Sequence, residues 1–171
     1  LGASRIGEPC ARRLVYEVTH TPPDPGKELE GRSLRIFAAG HVFEDLAIRW
    51  LRLAGFDLRT QTREGGQFGF ETAGGRIRGH VDGVIVAGPE VGLAWPVLWE
   101  HKALKASSWS DTAKKGVRLS KPVYFGQMQI YMAYMGLGSA LFTALNKDSC
   151  ELYHEHVPFD PATAQELSDK A

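Results

Sequence analysis

The chain has 171 residues, and 20 Lys and Arg balance 20 Asp and Glu, so its formal net charge is zero. That length suits a single domain over residues 1–171, and a hydrophobic content of 43% is enough to build a buried core. No apolar run approaches the roughly 18 residues needed to cross a bilayer, and no charged segment followed by an apolar one opens the chain as a secretory leader would. No membrane association and a cytoplasmic location are therefore expected. The two cysteines, Cys10 and Cys150, are too few for a disulfide framework or a four-cysteine metal site, and reduced thiols are expected. Neutrality also removes any global electrostatic signal, so a polyanionic partner has to be read from where the charges sit.

In chain order, Pro9 suits a first helical turn, and Cys10 to Val18 reads as a short helix. Prolines at 22, 23 and 25 with Gly26 mark a loop. Apolar residues at Phe37, Val42, Leu46, Ile48, Trp50, Leu51 and Leu53 give a long amphipathic helix over Leu34 to Leu53, with Gly55 as its stop. A β region follows. Gln67–Thr72 reads as a strand, Ala73–Gly75 as a hairpin turn, Arg76–Val86 as a second strand and Pro96–Leu104 as a third. The segment from Ala106 to Pro122 is polar and basic and reads as a loop or lid. Tyr124–Met135 reads as a second long helix. Ala140–Leu145 and Glu151–Val157 read as two strands joined by a turn at Asn146, and Asp160 with Pro161 opens a last helix. The order is helix, helix, three strands, helix, two strands. It predicts one α/β domain with a mixed sheet flanked by helices.

Two of these strands carry the chemistry. Asp82 stands just before Gly83, and Glu100 and Lys102 lie two apart in the third strand, so they share a face with His101 on the other. Glu100 sits in an apolar stretch, where a carboxylate normally has a partner or a metal. If Asp82 lies opposite, two carboxylates and one lysine converge. Mg²⁺ takes one or two carboxylates plus waters and substrate phosphate, so the set suits phosphodiester hydrolysis. Lys102 either handles a proton or stabilises charge on phosphate.

The segments Arg35–Glu44, Gly79–Gly83, Glu100–Lys102 and Lys121–Met132, in that order, resemble the PD-(D/E)XK nuclease superfamily, most nearly its RecB-like, Cas4-like and phage-recombination-exonuclease branch. Ser4–Tyr16 is similar to that branch's entry helix. The resemblance implies a restriction-endonuclease-like αβββαβ core, dependence on Mg²⁺ or Mn²⁺, and DNA as substrate. It implies Glu44, Asp82 and Glu100 as metal ligands, with His41 a lesser candidate. Asp82, Glu100, Lys102 and Gln127 become the catalytic set, and Tyr131 completes a Q-x-x-x-Y motif, although its position suits the core equally. Iron–sulfur members of the branch use one early and three late cysteines. Cys10 occupies the early place, but no late trio exists, so no cluster is expected. There is no phosphate-loop signature of a helicase.

Other residues are weaker candidates. Lys105, Lys114, Lys115, Arg118 and Lys121 are expected to contact phosphate and Trp109 to stack on a base, with Tyr124 beside them; a plain solvated loop is an equal reading. Arg12 and Arg13 are candidates of the same kind. Alternation places His80 on the side of Asp82. His154 and His156 share a strand face and read as structural rather than as a metal pair.

The expected function is a metal-dependent DNA exonuclease. The resemblance adds a phage or prophage recombination or end-processing setting in a bacterial host, with a single-strand annealing or recombinase protein as partner and a homo-oligomer as a possible state. The alternatives are a structure-specific or restriction-like endonuclease, a catalytically inactive DNA-binding member and, weakest, a metal hydrolase of small molecules.

Overall fold

The computed structural model describes residues 1–72, 75 and 77–170. A 3₁₀ turn at Ala3–Arg5 precedes helices α1 (Ala11–Val18) and α2 (Gly31–Leu53). Strands β1 (Asp57–Arg59), β2 (Gly69–Thr72), β3 (Ile77–His80), β4 (Gly83–Ala87) and β5 (Val97–Leu104) follow, then α3 (Ala106–Ser120), α4 (Pro122–Met135), β6 (Ser139–Asn146), β7 (Leu152–Pro158) and α5 (Pro161–Lys170). The main sheet has the order β1-β4-β5-β6-β7, while β2 and β3 pair separately. Only β5 and β6 run parallel in the main sheet; its other neighbours are antiparallel. A parallel pair needs a long crossover, and α3 and α4 supply it. This is the mixed sheet flanked by helices that the sequence predicts.

Strand alternation divides the core in two. From β5, Val97 and Trp99 pack with Ala47 of α2, Leu58, Ile85 and Leu141. Leu98 and Leu104 face the other way, into a larger cluster with Phe142, Ala144 and the α4 residues Met128, Ile130 and Met132. Helix α4 lies between this sheet face and α5, and every residue from Phe125 to Met132 is buried. Helix α2 covers the first face, but its N-terminal half leaves Leu34, Ile36, Phe37 and Val42 exposed.

The structure corrects four expectations. The segment after Ala106 is a helix rather than a loop. Its N-terminus is capped from a distance, Ala106 N donating to Asp148 Oδ2 at 2.7 Å, and Gly116 breaks it at φ 76°. A cap from forty residues away and an internal break are both hard to see in a local pattern. The expected strand over 76–86 is two strands in two sheets, because the chain leaves the β2–β3 hairpin at Val81 and enters the main sheet at Gly83. His80 and Asp82 therefore do not share a strand face. Strand β1, absent from the sequence reading, adds an edge to the main sheet through β4. Helix α2 starts at Gly31, three residues earlier than expected. The turn expected at Ala73–Gly75 lies largely outside the described residues.

Candidate active site

The site is built where β5 passes between the end of the hairpin and α4. Asp82 lies in the short link between β3 and β4, and its Oδ2 accepts the His101 backbone N–H at 2.8 Å. That bond fixes the carboxylate to β5 at the level of Glu100. Glu100 is fully buried, and its Oε1 is held from two sides. Gln127 Nε2 donates to it at 2.8 Å, and the Lys102 ammonium pairs with it directly. Lys102 Nζ also lies 3.8 Å from Asp82 Oδ2. Gln127 Nε2 further reaches Tyr131 OH at 3.2 Å, one helical turn along α4. Tyr131 lies this close because Gly79 has no side chain; a Cβ there would stand 2.6 Å from the Tyr131 ring. The structure thus brings together Asp82, Glu100, Lys102, Gln127 and Tyr131 from three separate segments.

Glu44 completes the electrostatics. Its carboxyl is pushed up first by burial, then by the Asp82 charge. Glu100 is pushed up to about 7, mainly by burial, with Lys102 opposing and Asp82 and Glu44 adding to the rise. Burial alone would lower the Lys102 ammonium, but Glu100 and Asp82 outweigh it and hold it above its usual value. Three carboxylates therefore feel one another, with one ammonium among them. His41 stands 3.9 Å from Glu44, but 81% of its side chain is exposed.

That surplus negative charge, together with Glu100 Oε2, which is buried and has no hydrogen-bond partner among the described residues, is the environment a divalent cation would neutralise. No group of three His, Cys, Asp or Glu side chains among the described residues is already set to hold a metal ion, and the Lys102 ammonium lies against Glu100 instead. The donor chemistry fits a hard cation; a closed cage is not present.

The opposite face of β5 is apolar apart from one cluster. Thr143 Oγ1 accepts from Trp99 Nε1 at 3.0 Å and bonds His101 Nδ1 at 2.9 Å. Burial lowers the His101 imidazole to about 4. The sequence signal for this cluster was Thr143, the one hydroxyl in the apolar strand Ala140–Leu145. On that face a groove of about 590 Å³ opens between α2 and the outer strands, with His154 and His156 on its wall, and none of the site carboxylates lines it.

The basic candidates separate. Lys105 and Lys114 are exposed, Lys115 pairs with Asp111 at 2.7 Å, and Arg118 lies 3.5 Å from Asp160. Lys121 is largely covered, with its Nζ 3.9 Å from Asp111. Trp109 does not fit the base-stacking role: it packs against the core and donates its indole N–H to Ala144 O at 2.9 Å. Arg13 is tied to Glu8 at 3.1 Å, whereas Arg12 is exposed.

No protein-family model matches the chain, and no curated protein does. Solved structures do. An alkaline exonuclease, LHK-Exo, from Laribacter hongkongensis is 20% identical, with a TM-score of 0.68 over 99% of this chain and 82% of that one. Its complex with dAMP matches equally, at 20% identity and a TM-score of 0.68 over 99% of this chain and 83% of that one. A protein described as SSO0001 is 19% identical, with a TM-score of 0.56 over 99% of this chain and 73% of that one. At these identities the likeness establishes a shared fold.

Proposed function

We propose that this chain is a divalent-metal-dependent deoxyribonuclease, and that it acts as an exonuclease. The observation that carries the reading is the convergence of Asp82, Glu100 and Lys102, with Glu44 within electrostatic reach, on a scaffold shared with an alkaline exonuclease. Glu44, Asp82 and Glu100 would hold Mg²⁺ or Mn²⁺. A cation so held supplies Lewis-acid polarisation of the phosphoryl group.

The residues of the chain do the rest. Asp82 is fixed by the His101 N–H, and Gln127 orients Glu100, so two ligands keep their geometry before substrate arrives. Lys102, whose ammonium lies against Glu100 and 3.8 Å from Asp82, would stabilise negative charge on the scissile phosphate. Lys105 and Lys114 of the α3 region, both exposed, would meet backbone phosphates. An end-processing or recombination setting, with an annealing or recombinase partner, is proposed on the family resemblance of the sequence alone.

Digestion of end-labelled linear duplex, linear single strand and closed circular DNA, each with Mg²⁺, Mn²⁺ or EDTA, tests it. Metal-dependent loss of linear DNA alone supports the exonuclease. Nicking of the circle makes it an endonuclease. Binding without cleavage makes it an inactive DNA-binding protein.

A further inference from the structure

Helix α4 presents a single stripe to β5. Tyr124, Gln127 and Tyr131 recur at spacings of three and four and so share a helix face. Gln127 and Tyr131 are accounted for by Glu100. Tyr124, one turn earlier, meets the other member of the same strand face, with Lys102 Nζ 5.4 Å from the centre of its ring. Three residues of helix rise about 4.5 Å, and two residues of strand about 6.6 Å. The contacts put Gln127 over Glu100 and Tyr124 over Lys102, the side chains making up the difference between the two rises.

We propose that Tyr124 is a positioning residue for Lys102, its ring face holding the ammonium in place against Glu100. This rests on the nuclease reading for its catalytic consequence, but not for the contact itself. The four-carbon lysine stem is flexible, and only 24% of the Lys102 side chain is exposed, so the ammonium is confined among a few neighbours. The ammonium lies directly against Glu100 and 3.8 Å from Asp82. A partly desolvated aromatic face adds a further contact to the paired ammonium without adding a charge. The helix also fixes the ring: Pro122 opens α4, and Tyr124 packs against the core in the first turn. The contact needs the ring and not its hydroxyl, which sets it apart from a residue that hydrogen-bonds DNA.

The test uses the whole chain with Tyr124→Phe and Tyr124→Leu. The Leu variant is expected to lower kcat by roughly 2- to 30-fold, the range a cation–π contact is worth, with KM for DNA unchanged. The Phe variant is expected to keep kcat within about twofold. In the metal-free protein the Lys102 ε-methylene proton resonances, assigned by comparison with Lys102→Arg, are expected upfield of free lysine in the wild type and Tyr124→Phe, and to lose that ring-current shift in Tyr124→Leu. Equal loss of activity in both variants, a rise in KM instead of a fall in kcat, or Lys102 resonances unmoved by Tyr124→Leu would overturn the proposal. A wild type that cleaves no DNA sinks the nuclease reading, and the resonance arm then still decides whether the ring holds the ammonium.

Discussion

Glu100→Gln should stabilise the metal-free protein while abolishing its activity. The buried Glu100 carboxyl is raised from its usual 4.5 to about 7. A folded-state value above the unfolded one means that protonation favours the fold. The contribution is therefore complete below about pH 4.5 and is lost as pH rises through 7. At about 1.4 kcal/mol for each tenfold change in proton affinity, keeping Glu100 ionised at pH 8 costs about 3 kcal/mol. Glutamine is nearly isosteric and uncharged, so it removes that cost. It also deprives Lys102 of its nearest carboxylate and leaves Asp82 at 3.8 Å as the remaining one, which offsets part of the gain. The expected net effect at pH 8 in EDTA is about 1–3 kcal/mol of added stability, or roughly 3–10 °C in Tm for a chain of this size. The gain should fade towards zero at pH 4.5. Urea unfolding of both proteins at pH 4.5, 6 and 8 measures it. A variant less stable than the wild type at pH 8, or a difference that does not change with pH, would refute the electrostatic account of the site.

Other outcomes follow from the same structure. His101 is lowered to about 4, so its proton favours the unfolded chain. Its contribution should be intact above pH 6.5 and fall by about 3 kcal/mol as pH drops towards 4, opposing that of Glu100, so His101→Gln should gain stability relative to the wild type on acidification in a urea-midpoint profile. Gly79→Ala should cost about 1–3 kcal/mol in urea unfolding, because the new Cβ would stand 2.6 Å from the Tyr131 ring and 2.8 Å from that of Phe70. Lys114→Gln should weaken DNA binding alike for all sequences and lower the salt slope of the affinity by about one phosphate contact, as read by fluorescence anisotropy across a salt series.

The sequence carried the site further than it carried the fold around it. Glu100 and Lys102 can be placed together because a strand repeats every two residues, whereas Gln127 rests on the Q-x-x-x-Y resemblance alone, since its helix is buried all round and shows no apolar period. Their meeting with Asp82 was legible only as a convergence, since nothing local shows that His101 N–H closes on Asp82. Helix α3 was missed for a different reason. It carries Gly116 at φ 76° in its interior and takes its cap from Asp148, so neither its continuity nor its start has a local signature. The strand over 76–86 looked continuous because alternation persists through Val81, while the division into two sheets is a tertiary fact set by the pairing of β4 with β5. Trp109 among lysines suggested an exposed stacking platform; the ring instead packs inward once the segment is helical. The contact of Tyr124 with Lys102 needed the register of α4 against β5, which no single segment contains.

The most direct test of the account is the Mg²⁺-dependent digestion rate of an end-labelled linear duplex by the wild type and Lys102→Ala, with DNA affinity measured on both. The account predicts digestion by the wild type that stops in EDTA, and loss of digestion in Lys102→Ala at nearly unchanged affinity. Undiminished digestion by Lys102→Ala, or digestion by the wild type that continues in EDTA, would contradict it.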